Sequence, residues 1–303
     1  MNTKKLPKFI ALILILLVTA SLSCCAEPAN FGDLSEEDFE SNPHLQSPQQ
    51  TEPVDDNILE LPPEATNSPK EFIEFLATVD IKKAKRIEIS DSFFEEFTVY
   101  LSSHYKDTFN YQGEPSPLVN KILTFMEGSV GGNYLFGGQG HVVTRDFVFE
   151  VNDMYPQYMN GGRLEYFLNI ADSVDEENPR MLPEYPYDYA WDCSGLWWDC
   201  CNTLNLFDEY TDRTANQTYD DFCTPIAKED LEPGDLVFYR NPEGRITHMG
   251  IMGTDGYIYE AASGFVGVVK QHTLDIRIYR DVVRGGYIIS PTWNEYARPI
   301  MFQ

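Results

Sequence analysis

Positive charge is what this sequence most lacks. It has 22 Lys and Arg against 48 Asp and Glu, a formal net charge of -26. Holding a nucleic-acid backbone requires clustered basic side chains, so no nucleic acid is expected as partner. The same shortage disfavours simple electrostatic adhesion to anionic lipid. It is most severe from Ala26 to Pro69, where 11 acidic residues stand with no Lys or Arg. Apolar residues are also few there, while Pro, Ser and Gln abound. Such a stretch buries too little surface to offset the entropy of ordering, so residues 26–67 read as a solvated acidic tether.

Long hydrophobic runs are scarce as well. Phe9 to Val18 is unbroken, but it falls short of the roughly 20 apolar residues that a spanning helix needs. With Lys4, Lys5 and Lys8 before it and small residues after it, residues 1–25 read as an export signal. An uncleaved N-terminal anchor is the alternative. The end of the run, Leu22-Ser23-Cys24-Cys25, resembles a lipoprotein-processing box. It makes Cys24 or Cys25 the acylation site, which would tether the chain to a membrane surface without a spanning helix. The alternative is a plain secreted protein cut near Ala26.

Cysteine is scarce too. Beyond the signal only Cys193, Cys200, Cys201 and Cys223 remain, too few for a disulfide scaffold in an exported protein. Cys200 and Cys201 read as small buried hydrophobes; a disulfide from one of them to Cys223 is the competing reading. Adjacent cysteines on a helix point to different faces and lack the Cys-x2–4-Cys spacing of zinc sites. No metal and no cofactor are expected.

What is present is a core: 43% hydrophobic residues, with 18 Tyr and 19 Phe, in a length suited to one or two domains. Ser68-Pro69-Lys70-Glu71 is a helix-start signal, followed by Phe72, Ile73, Phe75 and Leu76 at helical spacing. A second helix is expected at Asp91 to His104, giving a helical prefix region, 68–115. Ser116-Pro117 repeats the start signal for a helix ending at Gly128. Gly131 to Gly140 is glycine-rich, but no Gly-Lys-Ser/Thr follows, so it is not a phosphate loop. Residues 139–190, aromatic, acidic and broken by prolines, read as an excursion from a core fold. After Asp192-Cys193-Ser194-Gly195, Leu196, Trp197, Cys200, Cys201 and Leu204 recur at helical spacing. From Leu231 the pattern turns to strands: Leu236 to Tyr239, Thr247 to Met252, Tyr257 to Ala261, Gly264 to Val269 and Gly285 to Ser290. Gly253-Thr254-Asp255-Gly256 is a hairpin signal. Residues 291–303 read as a C-terminal tail.

Hydrolysis by a cysteine needs an ionisable thiol, a base beside it and a group that orients the base. Cys193 at a helix N-terminus meets the first need, because exposed N–H groups favour the thiolate and can receive an oxyanion. Of the five His, His44 falls in the tether and His104 on a surface helix, which leaves His141, His248 and His272. His248 opens the buried-looking strand Met249-Gly250-Ile251. A two-residue turn at Thr254-Asp255 would set Glu260 opposite or diagonal to it, where a carboxylate fixes the imidazole tautomer.

Four segments in order resemble the NlpC-type family of cell-wall cysteine peptidases: Tyr134-Leu135-Phe136-Gly137-Gly138, Asp192-Cys193-Ser194-Gly195, Leu231 to Tyr239, and His248-Met249-Gly250-Ile251. The resemblance covers about 116–290. It implies a papain-like α+β fold in which the nucleophile helix packs on an antiparallel sheet, to which the prefix region read above adds extra N-terminal helices. It also implies Cys193 as nucleophile, His248 as base, Glu260 as third polar residue, and Tyr134, Asp192 and Ser194 at the substrate. The implied substrate is the peptide stem of peptidoglycan, cut between D-glutamate and the following diamino acid. Three departures stand out. Glu260 occupies a position that is often His, Phe136 replaces a Trp, and the excursion at 139–190 lengthens a link that is normally short. An amidase or acyltransferase acting on another substrate, and a wall-binding scaffold lipoprotein without turnover, are the competing functions.

Overall fold

The computed structural model describes residues 55–106, 111, 113–176, 182, 184–271 and 274–302. The export signal, Cys24, Cys25, His44 and His272 lie outside the described residues. In chain order the first elements are β1 (Asp55–Leu59), α1 (Pro69–Leu76), β2 (Lys85–Ile87), α2 (Asp91–Lys106) and α3 (Pro117–Ser129). Then come β3 (Asn133–Tyr134), β4 (Gln139–Val142), α4 (Arg145–Met154), α5 (Arg163–Ala171), β5 (Tyr189–Trp191), α6 (Cys193–Thr203) and α7 (Ala215–Phe222). The rest is strand: β6 (Cys223–Pro225), β7 (Leu236–Arg240), β8 (Ile246–Met252), β9 (Ile258–Ser263), β10 (Gly267–Gln271), β11 (Arg277–Arg280), β12 (Tyr287–Ser290) and β13 (Glu295–Pro299). The protein is a mixed α+β structure, and no helix among the described residues is long and apolar enough to cross a membrane.

The helix starts follow the capping chemistry. Ser68 accepts from the Glu71 N–H at 3.3 Å and Ser116 from the Val119 N–H at 3.2 Å, each with a proline in the first turn. Such a cap contributes about 1 kcal/mol by satisfying a donor that the helix leaves unpaired. Order begins earlier than the tether reading places it. β1 and a 3-10 turn at Pro63–Thr66 fall inside that stretch, because Leu59, Leu61 and Ala65 supply apolar surface to the core beneath α1.

That core belongs to a four-stranded sheet of order β1-β2-β12-β11. β1 runs parallel to β2, and the other pairs are antiparallel. α1 and α2 cover it with Phe72, which meets Phe93 and Phe97 edge-on at 5.3 Å each. Ile87, Ile278, Tyr287 and Ile289 complete the cluster. The helical prefix is thus closed by two strands that lie far later in the chain.

The second sheet has order β10-β9-β8-β7-β13-β6 and is antiparallel throughout. Its core joins Ile122 and Met126 of α3, Leu196 and Trp197 of α6, and Phe238, Met249 and Ile251 of the sheet. α6 packs on β8 and β9. Cys200 and Cys201 are fully buried in this core, and the described cysteines are thiols rather than disulfides. Residues 291–303 are not a tail: β13 sits between β7 and β6, with Ala297 fully buried. Its charged residues hid this from the sequence, because they are paired rather than solvated. Glu295 accepts from Arg240 Nε at 2.7 Å, and Arg298 donates to Asp235 at 2.8 Å.

The excursion at 139–190 is an ordered subdomain. Val148, Val151, Met159 and Phe167 pack with Leu135 and Ala190 into a core of its own. The chain leaves along β4 and returns along β5, which is its antiparallel neighbour, with Val142 facing Tyr189. Its two ends therefore meet, and a long excursion adds little closure entropy.

Candidate functional site

β5 delivers the chain to Asp192, the N-cap of α6. Its Oδ1 accepts from the Gly195 N–H at 2.7 Å and the Ser194 hydroxyl at 3.1 Å, and its Oδ2 accepts from the Gly137 N–H at 3.0 Å. A Cβ on Gly195 would lie 2.0 Å from the Gly138 carbonyl oxygen, so only glycine lets the helix start this close to the glycine-rich segment. Each letter of Asp192-Cys193-Ser194-Gly195 thus has a physical role: cap, thiol, second donor to the cap, close approach. Burial pushes the Asp192 carboxyl up to about 6, against the Gly195 N–H.

Cys193 is the first residue of α6 and is 1% exposed. The helix N-terminus was expected to lower its pKa. Burial, followed by the negative charge of Asp192, instead pushes the thiol up, and the backbone N–H groups of Met249, Ser194 and Cys193 oppose that rise without cancelling it. The Met249 contact sets Sγ at the residue after His248.

β8 and β9 pair with Ile251 facing Tyr259 and Met252 facing Ile258. Continued, that register sets Glu260 opposite Gly250 and diagonal to His248. The connection is a 3-10 turn at Thr254–Gly256, longer than the two-residue turn expected, and it yields the diagonal placement. His248 Nε2 lies 2.7 Å from Glu260 Oε2, and both residues are buried. Burial alone would raise the Glu260 pKa, but Arg277 and His248 hold it down at about 2. An ionised carboxylate only accepts, so Nε2 carries the proton and Nδ1 keeps its lone pair. That Nδ1 is buried and has no hydrogen-bond partner. Burial, then the charge of Arg277, holds His248 below its ordinary 6.5, against Glu260.

Three residues that the sequence reading missed complete the cluster. Arg277 Nη2 and the Tyr279 hydroxyl donate to Glu260. The Trp293 ring stacks on His248 with centroids 5.3 Å apart and planes 9° from parallel. The signal for Arg277 and Tyr279 was present as period-two alternation in Ile276-Arg277-Ile278-Tyr279, which puts both on one strand face. Nothing local pointed that face at Glu260.

The excursion also reaches the site. Phe136, where the resemblance implied a Trp, stacks on Tyr158 at 4.2 Å and meets Tyr155 edge-on at 4.8 Å. Burial pushes the Tyr158 hydroxyl up to about 12, with Cys193 among the charges it senses. Tyr134 is buried on β3 beside a cavity of about 360 Å3, which Tyr166 and Phe167 of α5 and Val268 of β10 also line. Ser194 is buried, its hydroxyl committed to Asp192. His141 is not part of the Cys193–His248–Glu260 cluster; on β4, it accepts from the Gln139 N–H at 3.0 Å and stacks on Phe147.

Residues 183–284 match the model of the NlpC/P60 family. That segment holds Cys193, His248, Glu260 and Arg277 and leaves Tyr134 and Trp293 outside. Among solved structures, the NlpC/P60 domain of the peptidoglycan hydrolase SagA is 15% identical, with 57% of this chain and 97% of that one covered at a TM-score of 0.30. The P60 domain of an antigen from M. avium subspecies paratuberculosis is 15% identical, with 60% and 94% covered at 0.33. The peptidoglycan hydrolase RipB from Mycobacterium tuberculosis is 14% identical, with 69% and 85% covered at 0.32. Similarity this low carries no argument about residues, and no curated protein matches the chain. What the comparisons show is therefore confined to one segment: residues 183–284 are similar to the NlpC/P60 family, whose solved relatives include peptidoglycan hydrolases.

Proposed function

We propose that the protein is an exported thiol hydrolase of papain-like arrangement that cleaves amide bonds in peptidoglycan stem peptides, between D-glutamate and the following diamino acid. The observation that carries this reading is the buried, unpartnered Nδ1 of His248 on a ring whose other nitrogen is tied to Glu260. It leaves one lone pair available to a thiol held at the neighbouring Met249 N–H.

In the proposed cycle Nδ1 takes the Cys193 proton as Sγ attacks the scissile carbonyl. The oxyanion is received by N–H groups at the start of α6. His248 then protonates the leaving amine, and an acyl-enzyme remains on Cys193. Water, deprotonated by His248, releases the acyl group and regenerates the thiol. Asp192 and Ser194 hold the helix start, and Tyr134 stands at the substrate side. The signal pattern and the acyl group at Cys24 or Cys25 would place this chemistry on the wall side of a membrane.

The test incubates the full-length protein and its Cys193→Ala variant with purified peptidoglycan and soluble stem peptides, with products read by mass spectrometry. Fragments that appear only with the wild type support the reading, and their masses name the bond. The burial of Cys193 favours a second reading, a wall-binding lipoprotein without turnover. It takes first place if neither protein yields fragments and a thiol probe fails to label Cys193.

A further inference from the structure

The proposed cycle makes no use of Arg277, yet no other side chain in the cluster is held by so many partners. It is 3% exposed. Its Nη2 donates to Glu260 Oε2 and its Nε to the Tyr279 hydroxyl at 2.9 Å, with Glu260 Oε1 at 3.4 Å. Its Nη1 donates to the Pro291 carbonyl at 2.8 Å, and its Cζ lies 4.0 Å from the centroid of the Trp293 ring that stacks on His248. The guanidinium is fixed by a carboxylate, a carbonyl and an indole at once. It comes from β11, in the sheet that the prefix helices cover, whereas His248 and Glu260 come from the other sheet.

We propose that Arg277 is a positioning residue that, paired with Glu260, makes the third member of the triad electrostatically neutral while leaving its hydrogen bond to His248 intact. This rests on the reading of Cys193 and His248 as nucleophile and base. A lone carboxylate buried against an imidazole favours the imidazolium, in which Nδ1 is already protonated and cannot act as a base. The guanidinium on the same carboxylate oxygen removes that bias. Glu260 then orients Nε2 as a neutral polar residue would, and His248 stays a base. The charged groups that act on His248 are Glu260 from β9 and Arg277 from β11; Tyr239 on β7 is the cross-strand partner of His248, and Cys193 begins α6, which packs on β8. Arg277 is the only fixed cation among them.

The test follows the His248 ring nitrogens by NMR against pH in full-length protein labelled at histidine. A Cys193→Ala background keeps the thiol from co-titrating, and His248→Ala assigns the signal. Arg277→Gln is expected to raise the His248 midpoint by about one pH unit, tenfold in its protonation equilibrium. Arg277→Lys keeps the wild-type midpoint, Glu260→Gln lowers it, and Glu260→Gln with Arg277→Gln returns it near wild type. With Cys193 restored, Arg277→Gln lowers kcat on a stem peptide, leaves KM in place and moves the acid limb of the profile upward. A folded Arg277→Gln whose midpoint matches wild type overturns the proposal, as does a double variant displaced as far as the single one. Where Arg277→Gln fails to fold, an unchanged midpoint in Glu260→Gln overturns it. Wild-type fragments together with an unmoved midpoint sink this inference alone. Expected midpoints without fragments sink the substrate reading and leave the inference standing.

Discussion

β8 and β9 of the six-stranded sheet carry His248 and Glu260, while β11 of the four-stranded sheet carries Arg277 and Tyr279. The first two pair with each other, and the second two meet that pair through the Glu260 carboxylate. The six-stranded sheet is assembled mainly from the family-matched segment, with β13 beyond it. The four-stranded sheet needs β1, β2, α1 and α2 from the start of the chain, outside the match. Arg277 and Tyr279 thus fall inside the family-matched segment, while the helices and strands that complete their sheet do not.

The comparison breaks most sharply at the nucleophile. Cys193→Ala should cost at least about a thousandfold in fragment release while leaving the melting profile of both sheets close to wild type. A loss of folding would mean that the thiol is structural.

Next in size is the core beneath the prefix helices. Phe72 is fully buried, and Phe72→Ala should destabilise by about 3–5 kcal/mol. If the two sheets fold as one unit, thermal unfolding stays a single transition at lower temperature. A separate early transition that leaves hydrolysis intact would show that the four-stranded sheet does not support the site.

Two buried carboxylates sharpen the contrast by opposite signs. Glu260 is held at about 2 against an ordinary 4.5, so its contribution to stability is present above 4.5 and is lost as pH falls toward 2. Asp192 is raised to about 6 against 3.8, so ionising it costs stability as pH rises from 3.8 to 6. Asp192→Asn keeps a capping side chain and should flatten the stability profile between those two pH values. Glu260→Gln should flatten the fall below 4.5. Denaturant melts across pH read both, and equal slopes in wild type and variants would remove the assignment.

The smallest effect is expected where the excursion meets the site. Tyr158→Ala removes the ring stacked on Phe136 and should speed alkylation of Cys193 by about three- to tenfold, or about 0.7–1.4 kcal/mol of opening free energy. An unchanged rate would mean that the excursion does not restrict access to the thiol.

The nucleophile segment was legible because its chemistry is local. Asp192 caps the helix that Cys193 begins, and the helical spacing that follows announces that helix, whereas the approach of Gly195 to Gly138, 57 residues earlier, left no local sign. His248 and Glu260 were legible because one hairpin joins them and strand register is arithmetic. Arg277 and Trp293 were not, since their partners are set by the packing of two sheets, which leaves no periodic trace. β13 was misread because Glu295 and Arg298 look solvated until their partners are known. The thiol's pKa direction was misread because its burial comes from packing with elements distant in the chain, with Met126, Trp191 and Met249 in the same core as Cys193.

The meeting of β4 and β5 has a consequence for how such a protein changes over time. One rung of ladder, Val142 facing Tyr189, marks both the exit and the return of everything between. A tight turn joining those two strands would leave the ladder, the helix cap and the thiol where they are. The excursion therefore behaves as a cassette. An insertion at one point of the ladder can change in length while the strand pair that carries the chain to Asp192 stays as it is.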